Sequence, residues 1–277
     1  MTTKIHTKNA TFQKFIVLKT NRNKRHKYGE FFVEGVRNIN EAIDTGWQFA
    51  SFIYSFDRPL SHWAQNIVQT VPTDVNYELP QHLMAELSDK EETSELLAVI
   101  KMASAAEKQN SSTSPIFVLF DRPSNKGNLG TVLRSCECFG VSEFVITGHS
   151  VDIYDADVIK SSTGAFFRVP FLQLTDNISI DAYIANLKSQ HTRLVVVGTT
   201  PHTEIAASGV DLTVPVLLFL GNETDGLNRH LTEKCDCVVT IPMSARAVTE
   251  SLNVSCAASI LLYEISRQRG VGGIRNG

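Results

Sequence analysis

Three stretches of this 277-residue chain set reactive or hydrogen-bonding side chains among glycines and prolines: "DRPSNKGNLG" after Phe120, "GNETDGLN" after Leu220 and "PMSARAVTESLN" after Ile241. Glycine lets backbone come close to a ligand while a few Asn, Glu and Ser side chains point at it. In the first stretch Asn128 is placed either to cap the helix that follows or to face a ligand. Arg134, about 9 Å further along that helix, interrupts an apolar stripe of Leu129, Val132, Leu133, Cys136 and Phe139. It either snorkels from a partly buried face or is held for a phosphate, whose geometry its fork matches. In the second stretch Glu223 and Asp225 lie between Gly221 and Gly226, as solvated turn carboxylates or as catalytic ones. In the third, Ser251 and Asn253 open an apolar helix, where they either cap it or share its free N–H groups with a ligand. The turn Gly127-Asn128-Leu129-Gly130 is not the G-x-G-x-x-G dinucleotide fingerprint, which disfavours a Rossmann-type nucleotide enzyme.

These loops need a frame that brings them together. Strands are expected at Ile116–Phe120, Glu143–Thr147, Arg193–Gly198, Val214–Leu220 and Val238–Ile241, with helical stretches between them and a long helix from about Leu252 to Arg267. Buried Val/Ile/Leu runs alternating with helices predict an α/β domain with a parallel sheet covered on both faces. In such sheets ligands bind beyond the carboxyl ends of the strands, where the three loops fall. The segment "ASAAEKQNSSTSP", Ala103 to Pro115, is small and polar, as a linker is. The expected division is therefore 1–103, 104–115 as linker, and 116–277. Before the linker, "GEFFVEG", "FASFIYS" and "AVIKM" read as strands and "VRNINEAIDTG" as a helix closed by Gly46, giving a small α/β domain.

The net charge is −3, yet it is unevenly spread. Residues 1–40 hold nine Lys/Arg against two acidic residues, or +7, so the other 237 carry −10. Such asymmetry points to a polyanion-facing surface. Within "KTNRNKRHKYGE", Lys19, Arg22, Lys24, Arg25 and Lys27 are the expected RNA contacts, the alternative being a solvated turn. No run of eighteen apolar residues occurs, so no membrane span is expected. The start "MTTKIHTKNATFQKF" lacks the apolar region of a secretory signal, which predicts a cytoplasmic protein. Five cysteines, an odd number, argue against structural disulfides. The two C-x-C pairs have neither the spacing nor the neighbouring histidines of a zinc site, so buried free thiols and no metal are expected.

On these motifs the sequence resembles the SpoU-type (TrmH-like) RNA 2′-O-ribose methyltransferases of the SPOUT superfamily. "NKGNLGTVLRSCECFGV" carries the family's Asn128…Arg134 pair, "LFLGNETDGL" matches G-x-E-x-x-G-L, and "IPM" is followed by "SLNVSCAASILLYE". "FFVEGVRNINEAI" is similar to the substrate-binding domain that often precedes this catalytic domain and that resembles a ribosomal-protein RNA-binding fold. The resemblance implies a deep C-terminal trefoil knot, a rare exception to unknotted chains. It implies a homodimer and S-adenosylmethionine bound in the knot loops. Gly221, Ile241 and Leu252, with Thr199 more loosely, would contact the cofactor, and Asn128, Arg134, Glu223, Ser251 and Asn253 would form the reactive centre. The loop "IPMSARAVTESLN" departs from the family: its usual glycine is missing, it is two residues longer, and it gains Arg246.

The implied reaction is 2′-O-methylation of RNA, with ribosomal RNA favoured over transfer RNA because two-domain relatives resemble the ribosomal-RNA enzymes. The alternatives are a tRNA 2′-O-methyltransferase and a catalytically inactive RNA-binding or ribosome assembly factor of the same fold. The family reading makes Arg134 a general base. A guanidinium, which keeps its charge in proteins, fits a phosphate clamp better, with the proton leaving to Glu223, to water or to the phosphate.

Overall fold

The computed structural model describes residues 1–102 and 113–270, so residues 104–112 of the expected linker lie outside the described residues. The chain divides into two compact units, Met1–Ser104 with Asp152–Arg168, and Ala105–Val151 with Val169–Gly277.

The first unit begins with β1 (Thr2–Lys4), α1 (Ala10–Thr20), α2 (Arg22–Tyr28), β2 (Glu30–Glu34), α3 (Val36–Asp44) and β3 (Phe49–Ser55). It continues with α4 (His62–Thr70), β4 (Asn76–Leu79), α5 (Gln81–Leu87) and β5 (Leu96–Lys101). These strands form a mixed sheet in the order β1-β4-β3-β5-β2. The basic segment is a helix, not a turn: Asn21 accepts from Lys24 N–H at its start, and Gly29, at φ 64, ends it. Phe12, Phe15 and Leu18 of α1 recur at helical spacing and pack into a core with Phe32, Ile53, Leu83 and Val99.

The second unit has β6 (Ile116–Phe120), α6 (Lys126–Cys138) and β7 (Glu143–Thr147), the two strands spanning the residues that periodicity predicts. The chain then leaves it through α7 (Ala156–Ser162) and returns as β8 (Phe171–Leu174), α8 (Asn177–Gln190) and β9 (Val195–Thr199). The remaining elements are β10 (Val216–Leu220), α9 (Arg229–Lys234), β11 (Cys237–Val239) and α10 (Val254–Gln268). The sheet order is β11-β9-β10-β6-β7-β8, and every pair is parallel. Leu119 and Phe219 are fully buried against Ile180, Ile184 and Leu187 of α8, each contributing about 1.5–3 kcal/mol.

The segment 152–168 corrects the expected division. It follows β7 in the chain but belongs to the first unit, where Phe166 and Phe167 pack on Phe31 and Trp47 at ring separations of 5.4–6.4 Å. Trp47 Nε1 donates to Phe167 O at 3.2 Å. β1 and β8 escape sequence reading for a physical reason: β1 is three exposed residues, and β8 is half-buried throughout, so neither shows periodicity. The cysteines form no disulfide, but Cys138 and Cys256 are exposed, contrary to the expectation of buried thiols.

Candidate functional site

β6 and β10 are neighbours in register, Phe120 opposite Leu220, so the loops that follow them emerge side by side. From there the chain runs outward in opposite directions, β6 toward β7 and β10 toward β11. This is the switch point at which a parallel sheet opens a crevice.

A buried carboxylate ties that crevice together. Asp121, the first residue after β6, is inaccessible to solvent. It accepts from Arg122 Nε and an Arg122 terminal nitrogen (3.1 and 2.9 Å), from Thr147 Oγ1 (2.9 Å), and from Asn228 N and Nδ2 (3.0 and 3.1 Å). A buried carboxylate is tolerated only when its oxygens are met in this way. Arg122 sits in the left-handed region (φ 44) and its carbonyl accepts from Asn222 Nδ2 at 2.6 Å. Asp121, Asn222 and Asn228 were not singled out from sequence; the signal was a carboxylate directly after a five-residue apolar run at a strand's carboxyl end.

Glu223 is the second hub. Its Oε2 accepts from Ser124 N (3.0 Å) and Ser124 Oγ (2.9 Å), and its Oε1 from Asn125 N (3.2 Å) and Asn128 Nδ2 (3.3 Å). Burial acts to raise its pKa, but the donors, led by the Ser124 N–H, outweigh it and hold the carboxyl below the ordinary value. The helix cap is not Asn128 but Asn125, whose side chain accepts from Asn128 N at 3.0 Å. The Asn128 amide is thus released for other work. It accepts from Asn253 Nδ2 (3.1 Å) while donating to Glu223, and each of its polar atoms keeps one unused bonding position.

Asn253 does cap α10, accepting from Ser255 N at 2.9 Å and Ser255 Oγ at 2.6 Å. The seam continues through Ser259 Oγ to Ser255 O (2.9 Å) and on to Ser135 Oγ of α6 (2.7 Å). Glu223, Asn128 and Asn253, from three separate motifs, therefore form one hydrogen-bonded chain. Arg134 and Ser251 are not in it. Both are exposed, and neither side chain has a hydrogen bond or ion pair among the described residues.

The other expected positions lie along the same strand ends. A Cβ on Gly221 would stand 2.6 Å from the backbone of Gly226 and Leu227, because the turn folds back through paired Asn222–Gly226 hydrogen bonds (2.9 and 3.0 Å). Thr199 ends β9 and its hydroxyl donates to Phe219 O at 2.9 Å. Ile241 follows β11, and Leu252, 40% exposed, precedes the α10 cap.

The basic patch is partly corrected. Arg25 is 1% exposed and turned inward: Nε donates to Asp152 Oδ2 (2.7 Å), Nη2 to Asp155 Oδ2 (3.1 Å) and Nη1 to Leu18 O and Lys19 O (3.1 and 3.0 Å). A buried guanidinium with four of its five N–H groups engaged does not face RNA. Lys19 is engaged too, donating to Leu87 O at 2.8 Å and pairing with Asp89 at 2.7 Å. Arg22, Lys24 and Lys27 are exposed.

The fold and site define an α/β protein whose polar crevice opens at the switch point of a parallel sheet, with a small mixed α/β unit beside it in sequence. The model of the SpoU rRNA methylase family matches residues 115–263, and that of the SpoU L30e-like domain matches residues 9–98. The chain is 38% identical over 268 residues to the 23S rRNA (uridine(2479)-2′-O)-methyltransferase of Streptomyces viridochromogenes, covering 96% of this chain and 92% of that one. The crystal structure of the SpoU methyltransferase AviRb from the same organism, in complex with AdoMet, superposes with a TM-score of 0.86 at 35% identity, over 95% of this chain and 100% of that one. An RNA 2′-O ribose methyltransferase structure gives 0.77 at 28% identity, over 96% and 99%. The chain belongs to the SpoU rRNA methylase family.

Proposed function

We propose that this chain transfers a methyl group from S-adenosylmethionine to a ribose 2′-hydroxyl of 23S ribosomal RNA. The observation that carries the reading is the Glu223–Asn128–Asn253 chain, which joins the three family motifs beyond the carboxyl ends of the central strands. The 23S rRNA activity of the Streptomyces relative supports the substrate over transfer RNA, and the AdoMet complex of AviRb supports the donor over an inactive factor.

The residues present suit such a donor. Gly221 and Ile241, just past β10 and β11, are half-buried, and Leu252 and Met243, 40% and 38% exposed, offer apolar surface for a ring or thioether. Thr199 would border the same pocket through its main chain. When bound, S-adenosylmethionine supplies an electrophilic methyl group on a sulfonium. Asn128, with one free position on each amide atom, and Ser251 orient the ribose. Alignment of this kind is worth roughly 7–11 kcal/mol of a barrier. Arg134 holds the adjacent phosphate with its fork. Glu223 is a tether, not the base: a carboxylate already accepting four hydrogen bonds and held below its ordinary pKa is a weak proton acceptor. The 2′-hydroxyl proton leaves to water or to a phosphate oxygen.

The reading includes the deep trefoil knot of the C-terminal fold and RNA contacts from Arg22, Lys24 and Lys27. It also includes a homodimer: α10 presents Cys256, Ile260 and Tyr263 at i, i+4, i+7, with Ile260 and Tyr263 41% and 57% exposed, opposite its buried face. A second copy would cover that stripe. Among the described residues no helix is long and apolar enough to cross a membrane, in keeping with a cytoplasmic enzyme acting on ribosomal RNA. Mass spectrometry of nuclease-digested 23S and transfer RNA, incubated with and without the protein and S-adenosylmethionine, tests it. The expected result is one new 2′-O-methylated nucleotide in 23S RNA. Unmodified RNA together with absent S-adenosylmethionine binding would sink the proposal.

A further inference from the structure

The return segment of the first unit carries a turn that is poorly arranged for stability. Thr163, a β-branched residue, ends α7 at φ 49, and Gly164 follows at φ 98. β-Branched side chains rarely occupy that region, and such outliers gather at binding sites. Thr163 Oγ1 is buried and has no hydrogen-bond partner among the described residues. Gly164 lies so close to α3 that a Cβ there would meet Glu41 Cγ at 2.6 Å and Arg37 Cγ at 3.6 Å.

The charges around this turn do not cancel. Arg37 has a carboxylate at i+4, Glu41, but Glu41 is taken by Arg168, whose Nε donates to its Oε2. Arg37 is exposed and makes no ion pair among the described residues. Lys160, in the last turn of α7 one helical turn before Gly164, is likewise exposed and unpaired. Of Arg37, Lys160, Arg168 and Glu41, two positive charges remain without a counter-charge. Two exposed cations next to a strained turn, one beside it in space and one preceding it in sequence, suit a polyanion with spaced phosphates.

We propose that Arg37, beside the Thr163-Gly164 turn, and Lys160, one helical turn before it, form an RNA-backbone site. It joins α3 of the N-terminal sequence to the 152–168 segment, and it rests on the reading of this chain as an RNA-modifying enzyme. The site is absent from residues 1–103 alone, because half of it arrives from beyond β7.

The test compares the full chain with its Arg37→Ala, Lys160→Ala and double variants for binding to a 23S RNA transcript over a salt series, with S-adenosylmethionine titrated separately. Each substitution should make the slope of log K against log salt shallower by roughly 0.7–0.9, leaving S-adenosylmethionine affinity unchanged. Arg229→Ala, on the second unit and paired with Glu233 at 2.8 Å, should leave the slope unchanged. A double variant with the wild-type slope overturns the site. So does a slope that falls equally in Arg229→Ala, which would report net charge alone. Failure of the wild-type chain to methylate any RNA, with the slope change intact, overturns the methyl-transfer reading and leaves the site standing.

Discussion

Arg25 Nε lies 2.7 Å from Asp152 Oδ2, and both side chains are buried although 127 residues separate them. The second carboxylate, Asp155, holds Nη2, so one cation is shared between two acids inside the first unit. Removing one partner of a buried ion pair leaves uncompensated charge, which costs about 3–5 kcal/mol. Arg25→Ala should therefore lower stability by that amount, read from the urea midpoint at constant slope. A loss under ~1 kcal/mol would mean that the pair behaves as a surface one.

The same segment predicts that residues 1–103 do not form a stable unit by themselves. Without residues 152–168, Phe31 and Trp47 lose the Phe166 and Phe167 rings, and Arg25 loses both carboxylates. Near-ultraviolet circular dichroism should show no fixed aromatic environment in that fragment, whereas a fragment rejoined to 152–168 regains it.

Glu223→Gln should keep the crevice assembled but weaken it, since a neutral amide cannot accept all four bonds as strongly. A carboxyl held below the ordinary value of about 4.5 stabilises the fold above that pH and loses the contribution as pH falls through its folded value. The stability gap between wild type and variant should thus be constant near neutrality and shrink below about pH 4.5. Any limb in the pH–rate profile between pH 5 and 8 should persist in the variant; its disappearance would restore Glu223 as the base.

Arg134→Lys retains charge and loses the planar fork. Turnover should fall by roughly 100-fold or more while S-adenosylmethionine affinity, measured by calorimetry, stays within twofold. Near-normal turnover would remove Arg134 from the reactive centre.

Gly221→Ala places a methyl group 2.6 Å from two backbone atoms of the returning turn. Backbone cannot give way as a flexible side chain does, so the variant should lose about 1–3 kcal/mol and bind S-adenosylmethionine more weakly. Unchanged stability and affinity would show that the turn is free to open.

The amino-acid sequence by itself determined the parallel sheet and the order of the motifs. Ile116–Phe120 is a continuous apolar run and Phe144–Ile146 a shorter one, both buried as strands covered on two faces are, and the loop after the first carries polar residues. That Asn128, Glu223 and Asn253 belong together was implied by the resemblance of their motifs to the SpoU family, and their hydrogen bonds join them in the fold. Tertiary structure decided what each side chain is free to do. Asn125 takes the capping bond that Asn128 could have made, because the chain enters α6 one turn earlier than the motif suggests. Arg25 and Lys24 are adjacent cations in one basic run, yet a seven-residue helix turns Arg25 onto Asp152 and leaves Lys24 in solvent. The partition of 152–168 was equally hidden, since its partners lie more than a hundred residues away, and local periodicity reports only that a face is apolar, not which core will bury it.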